Sequence, residues 1–344
     1  MRATDILQPT SSGLYCPPAD IYIDPVRTVE RALITHGHSD HARSGHAHVL
    51  ATAETLAIMA VRYGENFTES HQAATMREPI AINGVTFRFH PAGHVLGSAQ
   101  IEIEHKGFRV VVSGDYKRAS DPTCAAFEPV RCDLFITEAT FGLPVFRHPP
   151  LADEVAKLLA SLALFPERSH LVGAYSLGKA QRVIALIRQA GYDAPIYLHG
   201  ALINLTRLYE AHGIPLGALK PVAGVAKPDL QGAIILCPPS ALQDVWSRRF
   251  DDPVTAFASG WMRIRARARQ RGVELPLVIS DHADWDELQA TIRETEASEI
   301  WVTHGQEDAL VHWCRTQGLN ADALRLIGYD DDGEAPVAES EPAS

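Results

Sequence analysis

The 344-residue sequence is short of three things, and each shortage narrows what the chain can do. It has no apolar run long enough to cross a membrane, and its first residues, Met-Arg-Ala-Thr-Asp-Ile-Leu-Gln-Pro, lack the apolar centre of a secretory signal. A cytoplasmic protein with no membrane partner is expected. Cysteine is scarce: Cys16, Cys124, Cys132, Cys237 and Cys314 are scattered, odd in number and without a C-x-x-C pair. That argues against a disulfide framework and for reduced thiols. Positive charge is also short, with 31 Lys and Arg against 42 Asp and Glu and a net charge of −11. The balance speaks against a wholly basic nucleic-acid binder, but its distribution softens the point. Residues 330–344 carry Asp330, Asp331, Asp332, Glu334, Glu339 and Glu341 with no base, and read as a disordered acidic tail. Conversely, Arg263, Arg265, Arg267, Arg269 and Arg271 crowd one stretch close after Arg248 and Arg249. They serve equally well as a solvated helix face or as contacts to a phosphate backbone.

What the chain does have is histidine, 16 in all, and an apolar fraction of 46% that suffices for sizeable cores. The length fits two domains, or one domain with a large insertion. The densest chemistry is Thr35-His36-Gly37-His38-Ser39-Asp40-His41, directly after the apolar run Ala32-Leu33-Ile34. Neutral imidazoles and a carboxylate are the ligand set of a divalent metal such as zinc. His36 and His38 point the same way in extended chain, and Asp40 and His41 follow where it turns, so one loop can serve two neighbouring cations.

Other segments end in the same manner. A helix is expected from the Thr52 cap to Gly64, with Leu56, Met59, Ala60 and Tyr63 on its core face. Ile80-Ala81-Ile82, Asn83-Gly84 and Val85–Phe89 read as a hairpin. His94, between Gly93 and Gly97, is the third-ligand candidate; His90 sits in an alternating strand and reads as ordinary. Arg109–Val112 leads to Asp115, a carboxylate able to bridge two cations, and Leu134–Thr137 leads to Glu138. Leu277-Val278-Ile279-Ser280 leads to Asp281-His282, and Glu299–Thr303 leads to His304. In α/β architectures, the C-terminal strand edge is where ligands bind. Asp24, ahead of Pro25, is either a turn residue or a partner that orients a ligand histidine.

These residues carry a resemblance. The His-x-His-x-Asp-His loop at 36–41 with His94, Asp115 and Glu138 resembles the metallo-β-lactamase superfamily. Glu138 together with Ser280-Asp281-His282-Ala283-Asp284 and Thr303-His304-Gly305 is similar to motifs A, B and C of its β-CASP branch, nucleases acting on RNA or DNA. Within the branch the chain looks most like the bacterial ligase-associated DNA exonucleases, on its Ala258-Ser259-Gly260-Trp261-Met262 stretch and its lack of added RNA-binding domains. A histidine at motif C, as in His304, is typical of the RNA enzymes and points the other way.

The resemblance implies an α/β fold: an αββα sandwich formed by residues 1–142 and 276–329, with a β-CASP domain inserted at 143–275. It implies two divalent metal ions, zinc by ligand type with manganese as the other choice. His36, His38 and His94 would hold one, Asp40, His41 and His304 the other, and Asp115 would bridge. Asp40, Glu138 and His282 are the catalytic candidates, with His282 protonating the leaving oxygen. An ATP-dependent DNA ligase and a helicase are the partners it suggests. Competing readings are an RNase, a small-ester or thioester hydrolase, and an inactive nucleic-acid-binding subunit.

One further stretch, Gly173-Ala174-Tyr175-Ser176-Leu177-Gly178-Lys179-Ala180, is one residue from a phosphate-binding Walker A loop. Ala180 lacks the hydroxyl that Mg²⁺ needs, which speaks against ATP. Its free amides at a helix start could still take a backbone phosphate. Ser176, Lys179, Arg263 and Arg265 are accordingly the candidate substrate contacts.

Overall fold

The structure is a computed structural model that describes residues 2–324; the expected acidic tail at 330–344 lies outside the described residues. The chain first builds a six-stranded sheet in sequential order, β1 Gln8–Thr10, β2 Gly13–Cys16, β3 Ile21–Ile23, β4 Arg31–Leu33, β5 His48–Thr52 and β6 Ser70–Ala74. Its first pairings are antiparallel, and β3 through β6 are parallel. Helix α1 (Ala53–Tyr63) follows β5 and behaves as its sequence requires: Thr52 caps it by accepting from Thr55 N, and Gly64 ends it at φ 87°. Leu56 and Met59 pack under Val49 and Ala51, on the outer face of this sheet.

The second sheet begins with β7 Ile80–Ile82, β8 Val85–Pro91, β9 Ala99–His105, β10 Phe108–Val112 and β11 Leu134–Ala139. The β7–β8 turn is Asn83-Gly84, both at positive φ, the geometry a two-residue hairpin selects. Alternation along β10 sorts its side chains. Val110 and Val112 face Leu14, Leu33 and Leu50 of the first sheet, whereas Val111 faces the other way. The two sheets therefore close on one apolar core.

From there the chain forms a third sheet of six parallel strands, β12 His170–Gly173, β13 Ile196–Leu198, β14 Leu219–Pro221, β15 Ile234–Cys237, β16 Val254–Ala258 and β17 Leu275–Leu277, ordered β14-β13-β15-β12-β16-β17. Strands buried on both faces need unbroken apolar runs, and Ile234-Ile235-Leu236-Cys237 is one. Helices α2 (Leu151–Leu164), α3 (Lys179–Gln189) and α4 (Gly200–Ala211) cover one face through Leu158, Val183, Ile187 and Leu202. Ile58 of α1 and Leu96 join that same cluster and tie the third sheet to the sandwich. A short helix α5 (Arg265–Gln270) precedes β17.

The chain then returns. Helix α6 (Trp285–Thr295), β18 (Glu299–Gly305), α7 (Glu307–Thr316) and β19 (Asn320–Ala323) complete the second sheet in the order β19-β18-β11-β10-β9-β8-β7. Leu288, Ile292, Leu310 and Val311 cover Val111, Phe135, Ile300 and Val302 on its outer face. The layers run helix, sheet, sheet, helix. Among the described residues no helix is long and apolar enough to cross a membrane.

One expectation fails. Residues 278–282 are not a strand; β17 ends at Leu277 and belongs to the third sheet. The backbone beyond it is hydrogen-bonded by side chains instead of a ladder. Val278 N donates to Glu154 Oε2 at 2.9 Å, Lys179 Nζ donates to Ile279 O at 3.2 Å, and Arg182 donates to Ser280 O at 2.8 Å.

Thr52 also reaches beyond its helix, donating to Gly97 O at 2.7 Å in the loop that carries His94. Replacing it by Ala removes the cap and this tie. Thr52→Ala is expected to lower stability by about 1–2 kcal/mol in urea unfolding, with Thr52→Ser close to wild type.

Candidate metal centre

The Thr35–His41 loop leaves β4 at the edge where β10, β11 and β18 also end. Gly37 is required there, because a Cβ would overlap the Ile58 side chain. The loop, His94 and Asp115 bring His36 Nε2, His38 Nδ1, His94 Nε2 and Asp115 Oδ2 together. His36 Nε2 lies 3.1 Å from His38 Nδ1, His38 Nδ1 3.0 Å from His94 Nε2, and Asp115 Oδ2 3.4 Å from His36 Nε2. A second group, Asp40, His41 and His304, has its donor atoms within 4.8 Å of one another. Asp115 Oδ2 is also 3.6 Å from His41 Nε2, so it faces both groups.

His304 arrives through a backbone irregularity. Thr303 pairs with Glu138 and Gly305 with Ala139, leaving His304 as the extra residue of a bulge, at φ 56°. Bulges re-aim side chains, and histidine tolerates this left-handed conformation better than most residues.

The tautomers follow from the outer partners. His38 Nε2 meets Leu177 O at 3.3 Å and His94 Nδ1 meets Asp281 O at 2.9 Å. A carbonyl only accepts, so each ring carries its proton on that outer nitrogen. Thr35 Oγ1 gives its hydrogen to Asp24 Oδ2 at 2.6 Å and so accepts from His36 Nδ1 at 3.0 Å. His41 Nδ1 lies 2.8 Å from Asp24 Oδ2. Of the two readings open for Asp24, orientation of a ligand histidine is the one its contacts fit. His36, His38 and His94 thus each aim a lone pair inward, and the Asp24 contact turns His41 Nε2 toward the same centre, the arrangement that outer hydrogen bonds impose on metal-binding histidines.

Lone pairs facing one another at 3 Å repel, and the carboxylates add to the imbalance. Among the described residues Asp40 Oδ1 and Asp115 Oδ1 are buried without a hydrogen-bond partner, which is costly for an ionised oxygen unless a cation is present. Burial, with neighbouring imidazoles adding to it, holds His36, His94 and His304 far below their ordinary range. Burial pushes Asp115 well up, with His41 and His282 opposing and Glu138 and Asp40 adding to the rise. Burial also pulls His41 down, but Asp40, Asp115 and Asp24 outweigh it and push it up to about 10. A buried set of convergent N and O donors with unbalanced charge fits divalent cations.

Beside these groups, His282 Nδ1 lies 2.8 Å from Glu138 Oε2, and Glu138 Oε1 accepts from Tyr116 N at 2.7 Å. The His282 ring lies beside that of His94, tilted by 55° with centroids 4.6 Å apart.

The expected substrate contacts fare unevenly. Arg263 and Arg265 are exposed. Ser176 lines a cavity of about 640 Å³ together with Tyr175, Phe257, Trp261 and Arg267. Lys179 is a correction: it is fully buried, with Nζ 2.5 Å from Asp281 Oδ1. The amides around it are occupied too. Gly178 N donates to Gln181 Oε1 at 2.8 Å, and Ala180 N to Tyr175 O at 3.0 Å. The turn therefore offers a phosphate neither the charge nor the donors that its sequence suggests.

Two residues escaped the sequence reading. Arg182 is buried, and His148 lies edge-on to Phe141 with both ring nitrogens buried and, among the described residues, unpartnered. Burial, then Lys117 and Lys179, press the His148 imidazolium down to about 2, so it stays neutral. No local pattern marks either one.

An αββα sandwich with a histidine–aspartate cluster at its strand ends is the metallo-β-lactamase arrangement. No known protein-family profile matches the chain. It is 30% identical, over 96% of its length, to a probable DNA ligase of Opitutus terrae, of which it spans 32%. It is 28% identical over 57% of its length to an endoribonuclease YSH1 of Mycosarcoma maydis, spanning 27% of that protein. An RNase J-like protein of Methanocaldococcus jannaschii is 23% identical over 54% of the chain and 51% of its own length. The chain thus spans between about a quarter and a half of these relatives. A solved structure of a protein of unknown function from Enterococcus faecalis V583 shares the fold, with a TM-score of 0.55 over 86% of this chain and 79% of that one at 14% identity. Fold, motifs and relatives agree: the chain belongs to the β-CASP branch of the metallo-β-lactamase superfamily.

If Asp115 serves both groups, Asp115→Ala weakens both cation sites, whereas His304→Ala removes one. Metal analysis after dialysis should give two equivalents for the wild type and one for His304→Ala. A tightly held equivalent in Asp115→Ala would show that the carboxylate is not shared.

Proposed function

We propose that the chain is a nuclease, a metal-dependent phosphodiesterase that shortens DNA from an end during repair. The observation that carries the reading is the pair of donor groups sharing Asp115, set beside the Glu138–His282 pair. His36, His38 and His94 would hold one cation and Asp40, His41 and His304 the other. Zinc suits the donors best and manganese is the alternative. When bound, such cations polarise a phosphodiester and make hydroxide available near neutral pH.

The remaining work falls to the protein. Glu138 holds the Nδ1 proton of His282 and favours its charged form, so that Nε2 can deliver a proton to the leaving oxygen. Asp40, through its unpartnered Oδ1, accepts a hydrogen from the attacking water and orients it. The exposed Arg263 and Arg265 meet the phosphate backbone. We divide the chain into a metallo-β-lactamase domain of residues 1–142 and 276–329 and a β-CASP insertion of 143–275 that caps the cleft, followed by the tail 330–344.

The choice of DNA is supported by extent of match: the relative aligned over 96% of the chain bears a DNA ligase's name, and the ribonucleases align over 57% and 54%. The name of that relative supports a DNA ligase as a partner; a helicase as a second partner follows from the family resemblance alone, and the cytoplasm as the location from the sequence. RNA is the second reading, favoured by His304 and by the ribonuclease relatives.

The test is turnover of single-stranded DNA, duplex DNA and RNA of one sequence, each labelled at either end. Stepwise shortening of DNA with RNA intact supports the reading; cleavage of RNA alone makes the ribonuclease reading correct. In the same assay His282→Ala should lower turnover by roughly 10²–10⁴-fold while both cations are retained. Loss of metal from that variant would contradict the proton-donor role.

A further inference from the structure

The Walker-like turn spends its lysine and amides on protein partners, and it is buried against the metal-ligand loops. Leu177 supplies the carbonyl that accepts from His38 Nε2 at 3.3 Å. Gly178, at φ 80°, sits so close to the His94 loop that a Cβ there would collide with Val95 Cγ1. Lys179 Nζ fixes Asp281 through Oδ1 at 2.5 Å, and Asp281 O in turn accepts from His94 Nδ1 at 2.9 Å. One turn of helix later, Arg182 spreads its guanidinium over both loops. It donates to Ser280 O at 2.8 Å, to Gly93 O at 3.1 Å and to His94 O at 3.2 Å, while its Nε faces the Asp121 carboxylate.

These contacts converge on one side of the centre. They reach His38 and His94, which belong to the first donor group. We infer that the segment Leu177–Arg182 is a positioning element for the first cation site, and that Arg182 is its principal residue. The planar fork suits this task. It reads three carbonyls from two loops in one rigid geometry, which the single ammonium of a lysine cannot do. The phosphate-loop shape is thus put to a different use: the third sheet delivers a helix start that sets the rings of a metal site in the neighbouring sandwich. Outer partners of this kind typically change metal affinity by about 10–100-fold when removed.

The inference rests on the proposed cation sites but not on nuclease activity. It is tested by titrating Zn²⁺ against a chelating dye in two backgrounds. His304→Ala leaves the first site to be read alone, and His38→Ala leaves the second. Adding Arg182→Lys, which keeps the charge beside Asp121 and removes the fork, should weaken Zn²⁺ about 10–100-fold in the His304→Ala background and leave the His38→Ala background unchanged. Gly178→Ala, which pushes the turn off Val95, should show the same one-sided loss and serves if Arg182→Lys does not fold. Unchanged affinity in the His304→Ala background, or equal losses in both, would overturn the inference. A wild-type chain that binds no Zn²⁺ would overturn the cation sites themselves, whereas absent turnover on DNA and RNA with the one-sided loss intact would overturn only the nuclease reading.

Discussion

Three imidazoles of the centre, each pinned on its outer side by an acceptor, turn lone pairs toward one another, and a fourth, His41, is pinned by a carboxylate beside them. Thr35, Leu177 and Asp281 pin His36, His38 and His94, and Asp24 pins His41. The constraint acts in two directions. It forces the loops that carry these rings to be held firmly, since the cluster is self-repelling without a cation. It also makes any divalent cation a large stabilising ligand, by roughly 2.7 kcal/mol for each site at a hundred times its Kd. The bulge at His304, the Gly37 contact with Ile58 and the crowding of Thr35 against Gly114 are local consequences of bringing strand ends this close.

Firmness comes from a second, wider constraint. The backbone at 92–98 and 278–284 is irregular, so its polar groups cannot be met by a ladder, and buried groups left unmet are costly. Helices α2 and α3, which cover the third sheet, meet them with Glu154, Lys179 and Arg182. These charges are themselves buried and paired, Lys179 with Asp281 and Arg182 with Asp121. Breaking one such pair leaves the other charge stranded, at a cost of about 3–5 kcal/mol. Sandwich and third sheet are therefore joined by chemistry that also shapes the metal cleft, and the apolar contact through Ile58 and Leu96 adds to it.

Much of the fold was legible because its signals are local. Thr52 and Gly64 bracket α1, Asn83-Gly84 turns the first hairpin of the second sheet, and the alternation along β8 sorts its faces. The ligand loop was legible from residue types alone. The rest depends on partners far off in sequence. Leu277-Val278-Ile279 looks like a strand because apolar β-branched residues favour one, yet Glu154, Lys179 and Arg182 claim its backbone. Lys179 looks like a surface residue because lysine seldom goes inside, and partners such as Asp281, 102 positions away, make its burial tolerable. Helix α4 begins at a glycine and carries no acid in its first turn, so it lacks the usual start signals.

The most direct test of the account is the anomalous scattering of crystals of the chain grown with Mn²⁺. The account predicts two peaks, one among His36, His38 and His94 and one among Asp40, His41 and His304, with Asp115 between them. A single peak, or peaks away from these residues, would contradict it.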